Sequence, residues 1–206
     1  MLAGMAARAA NPELTALAAR LVVEEGLEYG PAKRRALKQL GRAARHDELP
    51  DNDTLEDEVR AYLDLYCSDT QPAELAGLRR CAERWMARLA EFRPHLAGAV
   101  WRGTATQLNA VHLELYCDDS KSAEIALLNA QVDFDVRSGT GPRGEPIDLL
   151  VVDDVAADGR TPVTVVLKIL DTDDLRGALR PDARGRPERG DLAALQRLLQ
   201  ASPSAA

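Results

Sequence analysis

The sequence predicts an α+β fold, with an N-terminal helical layer packed on a mixed β-sheet. Two observations predict it. Between residues 11 and 96 apolar residues recur at three- and four-residue spacing, bounded by caps and breakers. From 97 to 200 the apolar runs become short and alternate with polar residues, with helical stretches between them. Residues 1–10 and 201–206, rich in small side chains, read as disordered tails.

Asn11-Pro12 reads as an N-cap followed by a first-turn proline. Leu14, Leu17, Leu21 and Val22 then share one helical face, and Gly26 ends the run. A shorter helix spans about 31–40. After the polar stretch ARHDELPDND, Asp53-Thr-Leu-Glu56 has the spacing of a capping box, and Leu55, Val59, Leu63 and Tyr66 follow at helical spacing. The next helix runs over about 72–92, striped by Leu75, Leu78, Ala82, Trp85, Met86 and Leu89, and Pro94 closes it. Strands are expected at 97–101, 111–117, 132–136, 147–155 and 162–170. A helix is expected at 121–129, capped by Ser120, and a last one at 192–200 after the polar loop 180–191.

LDLYCSDTQPAEL (63–75) aligns without gaps on LELYCDDSKSAEI (113–125). A true duplication requires both copies to share a fold. The first copy has helical spacing. The second also has Leu108, Val111 and Leu115 at helical spacing, but its strict alternation from Val111 to Cys117 favours a strand, so the match reads as accidental.

The chain of 206 residues carries a net charge of −7, which argues against free nucleic-acid binding. The run PAKRRALKQLGRAAR holds six basic residues and no acid, yet the acidic stretch 47–58 follows at once, and self-pairing is the plainer reading. Cys67, Cys81 and Cys117 form no CxxC, which points away from disulfides and zinc and towards a reducing, cytoplasmic compartment. No apolar run reaches membrane-spanning length. Arg in preference to Lys, with abundant Ala, suggests a GC-rich bacterial gene.

Residues 100–119 read VWRGTATQLNAVHLELYCDD. On a strand over 111–117, Val111, Leu113, Leu115 and Cys117 face one way, and His112, Glu114 and Tyr116 the other. Nucleotidyl transfer requires two carboxylates on such a face to hold Mg²⁺, beside a turn that binds phosphate. The stretch resembles the nucleotidyltransferase superfamily, whose pattern is a Gly-Ser turn and then a strand reading roughly Ser-Asp-Ile-Asp-Leu. Gly103-Thr104 matches the turn, and Asn109–Leu113 stands where that strand begins. Over most of its length, from LVVEEGLEYGPAKRRALKQLG through FRPHLAGAVWRGTATQL to the sheet, the chain is similar to a small bacterial family. Some members carry a nucleotidyltransferase-like label and others the name UDP-N-acetylmuramate–alanine ligase, and no established activity comes with the resemblance.

The departures from the pattern are chemical. The two metal-binding aspartates would fall at Ala110 and His112, and neither is a hard oxygen donor. The resemblance therefore implies a degenerate, inactive site that binds a nucleotide or phosphate ligand near Gly103 and Thr104, or a protein partner through the helical region. No cofactor is expected. The alternative is an active enzyme in which Asp133 and Asp135 hold Mg²⁺; the plainer reading of that pair is a half-exposed strand face. His112 and Glu114 form another i, i+2 pair able to hold a metal, but two ligands are few. Lys168 interrupts an apolar strand and reads as an anion contact or a partner of Asp148. The ligase activity is rejected: it needs a Gly-Lys-Ser/Thr loop for ATP, and no Gly-Lys occurs.

Overall fold

The computed structural model describes residues 11–41, 49–156, 158–182 and 184–201. Of the tails expected at 1–10 and 201–206, residues 1–10 and 202–206 lie outside the described residues, and Ala201 is corrected to helix, as the end of the last one (Leu192–Ala201). The chain divides between Gln71 and Pro72 into two compact units. The boundary expected at 96/97 therefore falls earlier, because the helix that starts at Gln71 buries its apolar stripe in the sheet's core.

The first unit holds α1 (Pro12–Glu25), α2 (Tyr29–Gln39) and α3 (Asn52–Tyr66). Asn11 caps α1 by accepting the Glu13 and Leu14 amides at 3.0 and 3.3 Å, and Gly26 ends it at φ 65°. Asp51, rather than Asp53, caps α3 by accepting the Thr54 amide at 2.6 Å. Leu14, Ala18 and Leu21 of α1 pack with Ala32, Ala36 and Leu37 of α2 and Leu55, Val59 and Leu63 of α3. The small alanines let the helices approach closely.

The second unit is a six-stranded mixed sheet with helices. Its elements are α4 (Gln71–Arg88), β1 (His95–Ala97), α5 (Gly98–Arg102), β2 (Val111–Cys117), α6 (Ser122–Asn129), β3 (Asp135–Thr140), β4 (Pro146–Val155), β5 (Pro162–Asp171), α7 (Leu175–Ala178), β6 (Arg189–Gly190) and α8 (Leu192–Ala201). The strand order is β3-β4-β5-β2-β1-β6. β2 and β5 run parallel; the other pairs are antiparallel. The α+β class is what the sequence predicts.

One face of the sheet carries Leu113, Leu115, Leu150, Leu167 and Ile169, clustered with Met86 of α4, Leu127 of α6 and Leu195 of α8. Each such leucine removed from water stabilises the fold by about 1.5–3 kcal/mol. α4 is locked to β4 at one polar point. The Asp154 carboxylate accepts Trp85 Nε1 at 2.7 Å and Arg84 Nη2 at 3.0 Å. Burial opposes its charge, but the Val155 amide, Trp85 and Arg84 hold it below the usual carboxylate range.

Two expected strands are corrected. Residues 98–102 coil into α5, because Gly98 at φ 71° breaks the extension and Ala99 and Val100 are buried consecutively. Residues 132–134 are not strand: Gln131 at φ 54° and the Val132 amide, donated to the Leu127 carbonyl at 3.0 Å, terminate α6, and β3 begins only at Asp135. α6 is capped at Lys121 without a side-chain bond, not by Ser120. The repeat takes two folds: 63–66 is helical in α3, whereas 113–117 is extended in β2.

Besides its pairing with β1, β6 makes a close approach to Trp101. A Cβ at Gly190 would lie 2.1 Å from the Trp101 ring, and Trp101 Nε1 donates to the Pro187 carbonyl at 2.7 Å. Gly190→Ala forces the indole aside; urea unfolding will show a loss of about 1–3 kcal/mol, as overpacking typically produces.

Candidate functional site

Gly103 and Thr104 form the C-terminal turn of α5. Gly103 adopts φ 83°, and the amides of Gly103 and Thr104 both donate to the Ala99 carbonyl, at 2.9 and 3.0 Å. Arg79 closes the other side, with Nε on the Val100 carbonyl at 3.2 Å and Nη2 on the Trp101 carbonyl at 3.3 Å. The Thr104 hydroxyl is enclosed at 1% exposure with no partner. Downstream, Asn109 Oδ1 accepts the Thr106 amide at 2.8 Å, and the Asn109 amide returns to the Thr106 carbonyl at 3.0 Å. The turn is knitted into itself, and its two amides point at protein rather than at solvent.

The face of the sheet turned away from α4, α6 and α8 is different. Strand pairing aligns Arg189, Ala97, His112, Val166, Val151 and Asp135 in one row across it, and His95, Glu114, Lys168, Leu149 and Arg137 in the next. Val166 and Leu149 are half-buried and Val151 is buried, so an apolar shelf lies between polar margins.

Glu114 is committed on that face. Arg189 Nη1 forms an ion pair with its Oε2, and Tyr116 Oη donates to the same oxygen at 2.8 Å. The His95 ring meets Tyr116 edge-on at 5.5 Å, and His95 Nδ1 donates to the Arg93 carbonyl at 2.9 Å. Burial, then the Glu114 charge and hydrogen bond, raise the Tyr116 phenol above its ordinary range. Burial opposes the Arg189 charge, but Glu114 and Tyr116 raise its pKa all the same.

Lys168 stands in register with Glu114 on β2 and Leu149 on β4. Among the described residues it makes no hydrogen bond or ion pair. The expected contact with Asp148 does not form, because successive residues of β4 face opposite ways; Asp148 instead accepts Lys121 Nζ at 3.2 Å. Asp135 is exposed on the edge strand, paired with Val151, and Asp133 is exposed before that strand begins. β4 and β5 lie between β3 and β2, a separation of about 14 Å at ordinary strand spacing. The fold thus gathers His112, Glu114 and Lys168 on one face and leaves Gly103-Thr104 and the Asp133/Asp135 pair apart from each other.

Two clefts border this region. One, of about 510 Å³ at the ends of β2 and β5, is lined by Asp118, Glu145, Asp148, Asp171 and Asp174 with Arg143, an acid excess that repels phosphate. The other lies beside α7 and includes Leu170 and Arg189. Among the described residues, no group of three or more His, Cys, Asp or Glu is placed to hold a metal ion.

Arg189 and Tyr116 are the residues that sequence reasoning missed. Tyr116 was legible as a member of the His112/Glu114 face. Arg189 sits in a segment that reads as polar loop, and no local signal distinguishes it. The chain matches no family model, no curated protein and no solved structure.

Arg189→Ala leaves Glu114 buried without its cation and will lower stability by about 3–5 kcal/mol in urea unfolding. Tyr116 contributes to the pH dependence of stability at high pH, with Cys81, Cys117 and Tyr62 raised in the same direction. The folded pKa of Tyr116 lies above its unfolded value of about 10, so its contribution is complete below that pH and is lost as pH rises past it. Unfolding free energies measured on either side of pH 10 will fall less in Tyr116→Phe than in the wild type.

Proposed function

We propose that the sheet unit binds a phosphate-bearing ligand, such as a nucleotide, on its open face, and that it is a degenerate nucleotidyltransferase-like domain without transfer activity. The observation that carries this reading is the pairing on β2 and β5. Glu114, an acid on the face that metal-dependent transfer would use, is neutralised by Arg189, while Lys168 in the adjacent strand has no anionic partner among the described residues. A face with a spare cation attracts an oxyanion directly, without a bridging metal. Leu149, Val151 and Val166 supply an apolar shelf suited to a planar base.

The phosphate is assigned to Lys168 rather than to Gly103-Thr104, since both amides of that turn are already donated to Ala99. The three free cysteines suit the cytoplasmic compartment included in this reading. No described helix is long and apolar enough to cross a membrane. A protein partner on the helical unit is the second reading, favoured by Leu65 and Tyr66, which are 69% and 66% exposed on α3.

Thermal melting with nucleoside triphosphates, with and without Mg²⁺ or Mn²⁺, tests the assignment. Stabilisation that needs no metal, is lost in Lys168→Ala and persists in Thr104→Ala is the expected result. Metal-dependent stabilisation abolished by Asp133→Ala would establish the active-enzyme alternative instead. No shift with any nucleotide would leave the protein-partner reading.

A further inference from the structure

The cleft beside α7 extends that reading and rests on it. Its volume is about 410 Å³, and it is lined by Leu170 of the open face, Gly177 and Ala178 of α7, Arg143 from the β3–β4 turn, and Arg189. Arg189 gives Nη1 to Glu114, but its Nε is buried with no acceptor. A buried donor is ordinarily satisfied, so an orphaned one on a residue that lines a cleft marks a group for which an acceptor from outside the chain is favoured.

Two ion pairs account for the other charges of the cleft except Asp173. Arg143 bridges Asp174 at 2.5 Å, and Glu114 already neutralises one edge of Arg189. Asp173 is exposed. What remains unmet is an N–H of a permanently charged guanidinium, whose best complement is an oxyanion. The volume admits more than a lone ion and falls within the range of small-molecule sites. Leu170 and Lys168 are two residues apart on β5, so they share the open face about 7 Å from one another. A ligand seated in the cleft extends naturally towards Lys168.

We propose that this cleft seats the phosphate end of the ligand, with Arg189 Nε as its anchor and Lys168 as the second cation along the ligand. Gly177 supplies the test. Gly177 lines the cleft and nothing lies within 4 Å of where its Cβ would stand, so leucine there narrows the cleft without a clash at Cβ. Arg189→Lys is the second variant, since it keeps a cation for Glu114 and removes the Nε donor.

The experiment is calorimetric titration of the full chain with ADP in EDTA-containing buffer, with inorganic phosphate and acetate as competitors. The expected results are ADP binding by the wild type, competition by phosphate but not by acetate, and at least a tenfold loss of affinity in both Gly177→Leu and Arg189→Lys, with the Gly177→Leu melting temperature unchanged. If both variants bind ADP as the wild type does while Lys168→Ala does not, the cleft assignment is overturned and the open-face reading stands. Competition by acetate but not phosphate overturns the phosphate assignment. A wild type that binds no ADP overturns both.

Discussion

The ion pair between Arg189 and Glu114 sets the chemistry of this sheet. Glu114 is 8% exposed at the centre of the sheet, and a carboxylate so placed requires a cation. The cation comes from the far edge, across β1, and Tyr116 adds a phenolic hydrogen bond to the same oxygen. One contact therefore has two consequences. It ties the two-residue strand β6 to the middle of the sheet, and it neutralises Glu114 on the open face. With Glu114 neutralised, Lys168 stands beside it without an anionic partner among the described residues, and the proposed anion site rests on that difference.

Much of the fold was legible because period decides it. Val163, Val165, Leu167 and Ile169 alternate into the core as the sequence predicts, and Lys168 was conspicuous because it interrupted them. The matching stretches LDLYC and LELYC show where local pattern stops being informative. Both satisfy helical spacing, and the first is a helix. The second is drawn into the sheet, where β1 and β5 meet its backbone on both sides and three of its side chains, Leu113, Leu115 and Cys117, join the core. Residues 98–102 misled for a related reason: β-branched and aromatic content suggests a strand, but a single glycine at positive φ redirects the chain.

The site was less legible than the fold. Glu114 and Lys168 could be nominated one at a time, whereas the partner that fixes the meaning of Glu114 is 75 residues away in sequence. Gly103-Thr104 illustrates the opposite failure. A motif specifies residue types, but whether its amides reach a ligand depends on the backbone around it. Here the turn closes α5, and Ala99 takes both amides. The resemblance drew attention to the turn and the strand, and the structure separates the two: the turn closes α5, whereas His112 and Glu114 stand on the sheet face with Lys168.

The Glu114 carboxylate is occupied by the Arg189 guanidinium, and that occupancy opposes a metal ion there. Side-chain carboxylate NMR during a Mn²⁺ titration addresses it directly. The Glu114 resonance will stay sharp while exposed carboxylates such as Asp118 broaden. Selective early broadening of Glu114 together with His112 would contradict it.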